Sequence, residues 1–520
     1  MANLHLFPPT KPDDVTSIEA GYLPETVEVT GQPSILKIRQ MTTTHISELP
    51  NEILVEIFTE LRNNNLIESW YKITFVCRHW RAVALEDAIL WTRPPTAHHE
   101  YTLLMLERSR QCPLEITLHQ RTPKDTSIAV LNHIGRISTL TIIEQSNKAL
   151  DAFQTNLLDM GHKALQLRSL QIQDKSWPPF KLSATTFLES TSLKSVQLSW
   201  IDFDWQIFPI PSLASLSLES LRTLRGGPSW AQFLGALRDM PLLEDLLFGF
   251  DDLHLKFPPI LPESLQMPCL RRLEIKSGHP TVIQGFLLST MFPQMQEVYV
   301  TCSSPNDDFL NDYSAAINAS LSLITRGDFG RLDHAKFDSN RFMMSQLPPV
   351  PWKSRRTLEF SCPHTPYGRP VVLDAMAGIS ALPGDRASDF VLVACRTRLP
   401  SEFFTDLFGR LPRLESLRAP ICSEVIDSLR IPPLESLDVP ILFLRLRKIT
   451  LDGNVSYRPY SSLVEELSSN LMARRKYGSG VKELCLNLEL TKEQAEMLQA
   501  VVADLDFWGT RAPCLGGWDE

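Results

Sequence analysis

Apolar residues recur at helical spacing in one N-terminal stretch, Ile46 to Pro94. One stripe spans Ile53–Leu61, a second spans Ile73–Trp80, and a third closes on Leu90-Trp91, with polar residues on the other faces. The pattern predicts a small group of amphipathic helices. A segment this short buries its own apolar surface poorly. The missing cover must come from the rest of the chain, from another protein, or from both.

A different pattern begins near Leu114, where apolar residues alternate with polar ones as in a strand. The spelling apolar-x-x-apolar-x-apolar then returns, with central positions 140, 170, 196, 216, 246, 273 and 298, and again near 417, 437, 449 and 484. Steps of roughly 20 to 30 residues are typical of a leucine-rich-repeat solenoid. The chain is therefore predicted to be α/β, with N-terminal helices followed by an irregular solenoid of parallel strands, helices and loops. An assortment of α/β units with leucine-rich strands is the alternative.

These patterns divide the chain into four parts. Residues 1–45 are rich in proline and form a predicted disordered arm, and 46–95 form the helical unit. The solenoid is predicted over 96–507, with a long loop near 343–370 where prolines cluster, and 508–520 form a C-terminal tail. Within the solenoid, Asp312–Ile324 and Trp230–Leu237 read as helices, and Lys492–Leu505 reads as a capping helix.

The N-terminal motifs resemble the F-box. The opening is Leu49-Pro50-Asn51-Glu52-Ile53-Leu54, followed by Ile57-Phe58, a centre Val76-Cys77-Arg78-His79-Trp80-Arg81, and a closing Leu90-Trp91. The variant is similar to that of fungal F-box proteins. The Asn-rich connection at 63–65 and Ala88-Ile89 before the closing pair depart from the family pattern.

The resemblance implies a substrate-recognition adaptor of an SCF-type cullin–RING ubiquitin ligase. Its F-box would dock on the linker protein of that complex and, through it, join the cullin and RING subunits. The residues that the resemblance assigns to linker binding and packing are Leu49, Pro50, Ile53, Leu54, Ile57, Phe58, Val76, Cys77, Trp80, Leu90 and Trp91. Two alternatives stay open, namely helices that merely cap a larger domain, and a repeat scaffold that delivers nothing for ubiquitination. Trp80 and Trp91 could also face the solenoid.

An unknown protein substrate would meet the solenoid at its strand face. Within each repeat, residues that flank the buried pair point outward. This alternation nominates Ser169, Gln171, Gln197, Ser217, Leu247, Arg272, Glu274, Glu297, Tyr299 and Asp438. Arg272 and Tyr299 carry the chemistry of interface hot spots.

The composition argues against a nucleic-acid-binding protein, a membrane-spanning protein and a disulfide-stabilised protein. The 520-residue chain has a formal net charge of −9 and no basic stripe, so a general nucleic-acid binder is not expected. No apolar run approaches the roughly 20 residues that span a bilayer. Nine cysteines without C-x-x-C spacing indicate reduced thiols in the cytoplasm or nucleus.

Enzymatic chemistry is not indicated either. The sequence contains no H-E-x-x-H, phosphate-binding glycine loop or G-x-S-x-G, so neither catalysis nor a cofactor is expected. The adjacent pair His98-His99 is an unfavourable metal site because neighbouring side chains point apart. Cys422 and Cys485 are expected to be small core residues in repeat strands.

Overall fold

A computed structural model describes residues 49–64, 70–143, 166–175, 181–182, 191–203, 205–219, 229–250, 264–302, 313–326, 332, 334–338, 341–346, 357–361, 389–392, 414–431, 443–453 and 461–508. The predicted arm at 1–45, the tail beyond Trp508 and the predicted repeat around residue 437 lie outside these residues.

Ten α-helices lie in the described part of the chain. They are α1 Asn51–Asn64, α2 Arg78–Glu86, α3 His99–Arg108, α4 Lys124–Leu131, α5 Trp230–Arg238, α6 Pro280–Ser289, α7 Tyr313–Thr325, α8 Ser423–Ser428, α9 Ser461–Lys476 and α10 Lys492–Gln499. None of them is both long enough and apolar enough to cross a membrane.

Twenty strands accompany these helices. They are β1 Leu114–His119, β2 Ile137–Ile143, β3 Ser169–Gln173, β4 Lys181–Leu182, β5 Ser195–Ser199, β6 Asp202–Phe203, β7 Ser215–Glu219, β8 Asp245–Phe250, β9 Leu265–Gln266, β10 Arg272–Ser277, β11 Thr290–Met291, β12 Glu297–Cys302, β13 His334–Asp338, β14 Arg341–Ser345, β15 Thr357–Ser361, β16 Asp389–Leu392, β17 Ser416–Pro420, β18 Lys448–Asp452, β19 Glu483–Glu489 and β20 Asp504–Trp508. Strands β4 and β6 pair separately, as do β9 and β11, and the other 16 strands form one sheet.

Most of the large sheet is parallel, and each strand pairs with the strand of the next repeat. Its buried positions stay in register across repeats, so that apolar side chains form rows along the solenoid. One row consists of Leu140, Leu170, Val196, Leu216, Leu246, Leu273 and Val298, all at most 1% exposed. These rows belong to one continuous core that no single repeat could enclose. The predicted class, N-terminal helices followed by a repeat solenoid, is confirmed.

One interruption was not predicted. Strand order along the sheet runs β12, β15, β14, β13, β16, and β14 is antiparallel to both of its neighbours. Strand β13 therefore does not pair with β12. The two strands that follow it in sequence, β14 and β15, lie between β13 and β12 in the sheet. Strand β15 and the last residues of β14 lie within the range 343–370, where a long loop is predicted. Residues 347–356 and 362–370 lie outside the described residues. Buried Phe342 and Phe360, whose rings stack 5.6 Å apart, explain why this proline-rich region still forms strands.

The predicted capping helix Lys492–Leu505 is also too long. Helix α10 begins after Thr491, whose side chain and that of Gln494 form a reciprocal capping box, and it ends at Gln499. Leu505 belongs instead to β20, where it pairs in register with Leu484. The helical spacing of the apolar residues could not distinguish a longer helix from a short helix followed by a strand.

Three arginines tie successive repeats together through carbonyl groups near the C-terminal ends of helices. Arg136 donates to the Leu106 carbonyl at 2.7 Å, Arg326 donates to the Leu287 carbonyl at 2.8 Å, and Arg474 donates to the Leu429 carbonyl at 3.3 Å. The last carbonyls of a helix have no partner within the helix, so a neighbouring guanidinium that reaches them satisfies both groups. Burial lowers the pKa of the Arg474 guanidinium to about 10, which still leaves it charged at neutral pH.

We expect Arg474→Met to lower the free energy of unfolding by about 3 kcal/mol, because Arg474 is fully buried and its removal leaves carbonyls without donors. The shift of the urea midpoint measures this loss. Exposed Arg445 provides the control, and Arg445→Met should change stability by less than about 0.5 kcal/mol. Equal effects of the two substitutions would contradict a capping role for Arg474.

Candidate partner-binding surfaces

The N-terminal helices enclose a small apolar core of their own. Helix α1 supplies two residues, a short 3-10 helix at Trp70–Phe75 supplies two, and α2 and the following turn supply most of the rest. The buried members are Leu54, Phe58, Trp70, Ile73, Val83, Ala84, Leu90, Trp91 and Met105. This core, called here the N-terminal cluster, is separate from the core of the solenoid.

Aromatic contacts fix the geometry of the N-terminal cluster. The rings of Trp70 and Trp91 meet edge to face at 5.1 Å, and Phe58 lies 5.1 Å from Trp80. The indole N–H of Trp91 donates to the Ala84 carbonyl at 2.8 Å. The guanidinium of Arg108 lies 4.3 Å from the Trp91 ring centroid, a cation–π contact. Trp91 therefore packs within the N-terminal cluster, and Trp80 lies half-buried beside it.

The structure divides the predicted linker-binding residues into two groups. Leu54, Phe58, Leu90 and Trp91 are buried, while Leu49, Ile57 and Trp80 are half-buried against the N-terminal cluster. The exposed members are Pro50, Ile53, Val76 and Cys77. Only the exposed and half-buried members are available to contact a partner while the cluster stays folded.

Several apolar side chains of this region remain uncovered by the solenoid. Ile53 is 42% exposed, Phe75 is 66% exposed and Val76 is 60% exposed. Leu61 and Ile89 are also exposed and, with Phe75, were not nominated from the sequence. Leu61 continues the stripe of Ile53 and Ile57 at intervals of four residues, which is a signal for it, whereas nothing in the sequence distinguishes exposed Phe75 from buried Ile73. We call Ile53, Leu61, Phe75 and Val76 the apolar patch.

The second predicted stripe, Ile73–Trp80, is not one helix. The 3-10 helix ends at Phe75, and α2 begins at Arg78 after Cys77, whose backbone is extended with φ −155°. The Cys77 sulfur caps α2 by accepting from the Trp80 backbone N–H at 3.4 Å. This break turns Val76 and Cys77 outward, although helical spacing placed them on the buried face.

Helix α3 joins the N-terminal cluster to the solenoid. Met105 belongs to the N-terminal cluster and the next residue, Leu106, belongs to the solenoid core. The connecting strand segment adds polar contacts, since the Glu115 N–H donates to the Thr92 carbonyl at 3.0 Å and the Arg93 guanidinium pairs with the Glu115 carboxylate at 2.6 Å. The two units therefore share one helix and one ion pair.

The outward residues of the large sheet form a second surface, called here the strand face. Alternation along each strand places the nominated residues on it, and Asp438 lies outside the described residues. Six of the nominated residues lie in one continuous row across neighbouring strands, namely Gln171, Gln197, Ser217, Leu247, Glu274 and Tyr299. The nominated residues thus form a contiguous part of the sheet.

The centre of the strand face is an ion-pair network. Arg272 lies 3.6 Å from Glu274 and 3.9 Å from Glu297, and its guanidinium lies 5.4 Å from the Tyr299 ring centroid. Burial raises the pKa of the Tyr299 hydroxyl, and the nearby Glu297 carboxylate adds to the increase, so Tyr299 stays neutral at physiological pH.

The ion-pair network also includes Lys276 and Glu219, and Gly249 lies between them. The sequence did not nominate any of the three. The Lys276 ammonium lies 2.6 Å from Glu219 and 3.0 Å from Glu274. Burial opposes the charged form of Lys276, but the hydrogen bonds to these carboxylates outweigh burial and raise its pKa. Strand β8 lies between β7 and β10, and its Gly249 has no side chain to block the connection. A Cβ there would lie 3.3 Å from the Lys276 Cβ.

The cysteines and histidines singled out in the sequence do not form a catalytic or metal site among the described residues. Cys422 is not in a strand, because it precedes α8 at the N-cap position, where burial raises the pKa of its thiol to about 11. Cys485 lies in β19 and is partly buried. The ring nitrogen Nδ1 of His99 lies 3.0 Å from the Thr126 hydroxyl. Within the described ranges, no group of three or more His, Cys, Asp or Glu residues could hold a metal ion.

Comparison with known proteins identifies one domain. Residues 46–94 match the F-box-like family model. Among solved structures, the chain is similar to a TLR13–ssRNA13 complex, at 12% identity and a TM-score of 0.30, over 76% of this chain but 45% of that one. It is also similar to the leucine-rich repeat-containing protein LegL7 from Legionella pneumophila, at 10% identity and a TM-score of 0.25, over 68% of this chain and 90% of that one. No curated protein sequence matches. Residues 46–94 of the chain therefore carry an F-box-like domain, and the parallel-strand solenoid described above follows it.

Truncation separates packing residues from surface residues in the F-box-like domain. We expect Phe58→Ala to cost about 3 to 5 kcal/mol of stability, because Phe58 is fully buried. Ile53→Ala should cost less than about 1 kcal/mol, since much of Ile53 already faces solvent. Hydrogen exchange in α1 measures both, and fast exchange in the Ile53 variant would show that Ile53 is a core residue.

Proposed function

We propose that this protein is a substrate-binding adaptor of an SCF-type cullin–RING ubiquitin ligase, with an F-box of the fungal type. F-box domains generally bind linker proteins of the Skp1 type. The linker would then join this chain to the cullin and RING subunits. The strand face would hold a protein substrate at the other end, in the cytoplasm, the nucleus or both.

The apolar patch carries this proposal. Ile53, Phe75 and Val76 all belong to one short domain and each exposes a large part of its apolar side chain, which favours an interaction site. Among the described residues, the F-box-like domain meets the solenoid through α3 and the segment after Trp91, and these contacts leave the patch exposed. We infer that a second polypeptide covers it.

The adaptor would contribute position and leave bond-making to its partners. Holding a substrate lysine near activated ubiquitin converts an encounter between free molecules into a local reaction. The shared helix α3 supports this role, since it anchors both cores and limits relative movement of the two binding surfaces. Arg136 reinforces the same joint by donating to the Ser109 hydroxyl at 2.9 Å and to the Leu106 carbonyl.

Val76→Asp should abolish capture of the linker protein by the full chain, with an affinity loss of about 100-fold, because it places a charge within an apolar contact. Since Val76 is exposed, the variant should fold normally. Leu288→Asp makes the same kind of change at an apolar residue of α6 that is 53% exposed, and it should bind like the original chain. Affinity purification with quantification of linker, cullin and RING subunits measures the effect.

The outcomes of that purification distinguish the proposed role from a plain scaffold. Recovery of all three subunits, lost in the Val76 variant and kept in the Leu288 variant, supports the adaptor. Recovery of the linker without cullin would favour a repeat scaffold that delivers nothing for ubiquitination. Failure of the original chain to bind the linker in solution would refute both.

Cys77 offers an independent test that needs no substitution. It is exposed beside Val76, so a bound linker should shield it from a thiol reagent. We expect iodoacetamide to modify Cys77 at least about tenfold more slowly when the linker is present. Half-buried Cys112 lies beyond α3 and serves as the internal control, with an unchanged rate. An unchanged rate at Cys77 would place the linker elsewhere.

A further inference from the structure

Five cations in the strands of the strand face lie close to carboxylates. The ion pairs join Arg272 to Glu274, Lys276 to Glu219, Arg341 to Glu359, Arg418 to Asp452 and Lys448 to Glu483 at 2.6 to 3.6 Å. A cation that is already paired has little attraction left for a further anion, because binding that anion means sharing or breaking the existing pair.

Carboxylates outnumber cations on the same surface. Besides the acids of these five pairs, the outward positions of the described strands carry five more carboxylates. Glu115 pairs with Arg93 and Glu297 lies 3.9 Å from Arg272, and the others are Asp245, Asp504 and Asp506. Burial raises the pKa of Asp245, with Glu244 adding to the effect and Arg272 opposing it. Among the described side chains, the strand face therefore carries more negative than positive charge. Equal numbers of the two would have made it neutral.

The remaining part of the strand face carries no charge. On β2, β3 and β5 the described outward side chains are hydroxyls, amides and one isoleucine, namely Thr139, Thr141, Ile143, Ser169, Gln171, Gln173, Ser195 and Gln197. Carboxylates border this neutral zone, with Glu115 on β1 and Glu219 on β7. A partner can form hydrogen bonds in this neutral zone without displacing an ion pair. The outward side chains named here include no cation that could bind an anion.

A concave feature marks the acidic end. A cavity of about 250 Å³ opens between β17 and β20 and is lined by Arg418, Lys448, Glu483, Asn487, Asp504 and Asp506. Both of its cations are paired, Arg418 with Asp452 at 2.9 Å and Lys448 with Glu483 at 3.2 Å. Asp504 pairs in register with Glu483 of the neighbouring strand and occupies an exposed position of β20. Such a cavity suits the end of a lysine or arginine side chain.

We propose that the strand face binds a lysine- and arginine-containing segment of a partner protein, and that phosphorylation of the segment weakens binding. The inference rests on the proposed role of the strand face as a substrate surface and specifies its substrate class. Opposite charges favour the unmodified segment. A phosphate adds close to two negative charges beside existing carboxylates, which is repulsive and leaves the phosphate without a donor pair.

Cations do lie next to the strand face, at the residues that precede strands. Such positions, before β3, β5, β10, β18 and β19, are held by Arg168, Lys194, Arg271, Arg447 and Lys482. They stand at the rim of the sheet and outside the rows of the strand face. A phosphorylated segment that bound through this rim would be a different mode of recognition, and the experiment must separate the two.

Selection from a random peptide library on the immobilised full chain tests the proposal. Lysine and arginine should be enriched, and aspartate and glutamate depleted. A selected peptide, labelled for fluorescence anisotropy, should lose at least about tenfold in affinity when one of its serines is phosphorylated. Its affinity should also fall as salt increases, because exposed charges are screened.

Two variants with the same charge change locate the binding surface. Glu297→Lys lies on the strand face and should weaken the selected peptide about tenfold, whereas Glu465→Lys lies on the exposed side of α9 and should not. If Glu297→Lys unfolds, Asp504→Lys on the exposed edge replaces it. Thermal melting of each variant verifies that the fold is intact.

Several results would overturn the proposal. Three of them are the absence of any enriched peptide, the enrichment of acidic peptides, and equal effects of the two glutamate variants. The fourth is a selected peptide that binds more tightly after phosphorylation than before it, and that loses this affinity in the Arg168→Ala variant. Linker binding through Val76 is measured separately. A chain that binds the linker but rejects basic peptides refutes this inference alone, whereas one that selects basic peptides without the linker refutes only the ligase role.

Discussion

The first strand of an open sheet has backbone groups on its outer edge that need hydrogen-bond partners. In this protein, that requirement determines how the N-terminal helices attach to the solenoid. The segment after Trp91 meets it, because the Thr92 carbonyl accepts from the Glu115 N–H and the Thr96 hydroxyl donates to the Thr117 carbonyl at 2.6 Å. Helix α3 then covers the end of the solenoid core with Leu106. The F-box-like domain is thus the cap of the solenoid as well as a candidate docking unit.

That attachment decides which part of the F-box-like domain can meet another protein. Met105 of α3 belongs to the N-terminal cluster, and Arg108 of the same helix lies 4.3 Å from the Trp91 ring centroid. Ile53, Phe75 and Val76 are left outside. Capping and docking are therefore compatible, since the capping contacts and the apolar patch use different residues of the same short segment.

The strand face follows a second constraint, set by the spacing of parallel strands. Rows of side chains about 4.8 Å apart bring charges on neighbouring repeats into contact whether or not they are close in sequence. Lys276 and Glu219 meet in this way across β8, with Gly249 between them. The charge pattern of this surface therefore depends on the packing of several repeats and not on any single strand.

Sequence alone determined the period, the alternation and the motif spelling, and so the class of fold, the F-box-like segment and the outward positions of most strands. These features are local, and each follows from a few neighbouring residues. Tertiary structure decided the rest, because it depends on contacts between distant residues. It reversed the strand order between β12 and β16, ended α10 before Leu505, and turned Val76 away from the core while burying Phe58. It also paired Lys276 with Glu219, which no spacing could predict, since strands of different repeats approach only when the whole core is assembled.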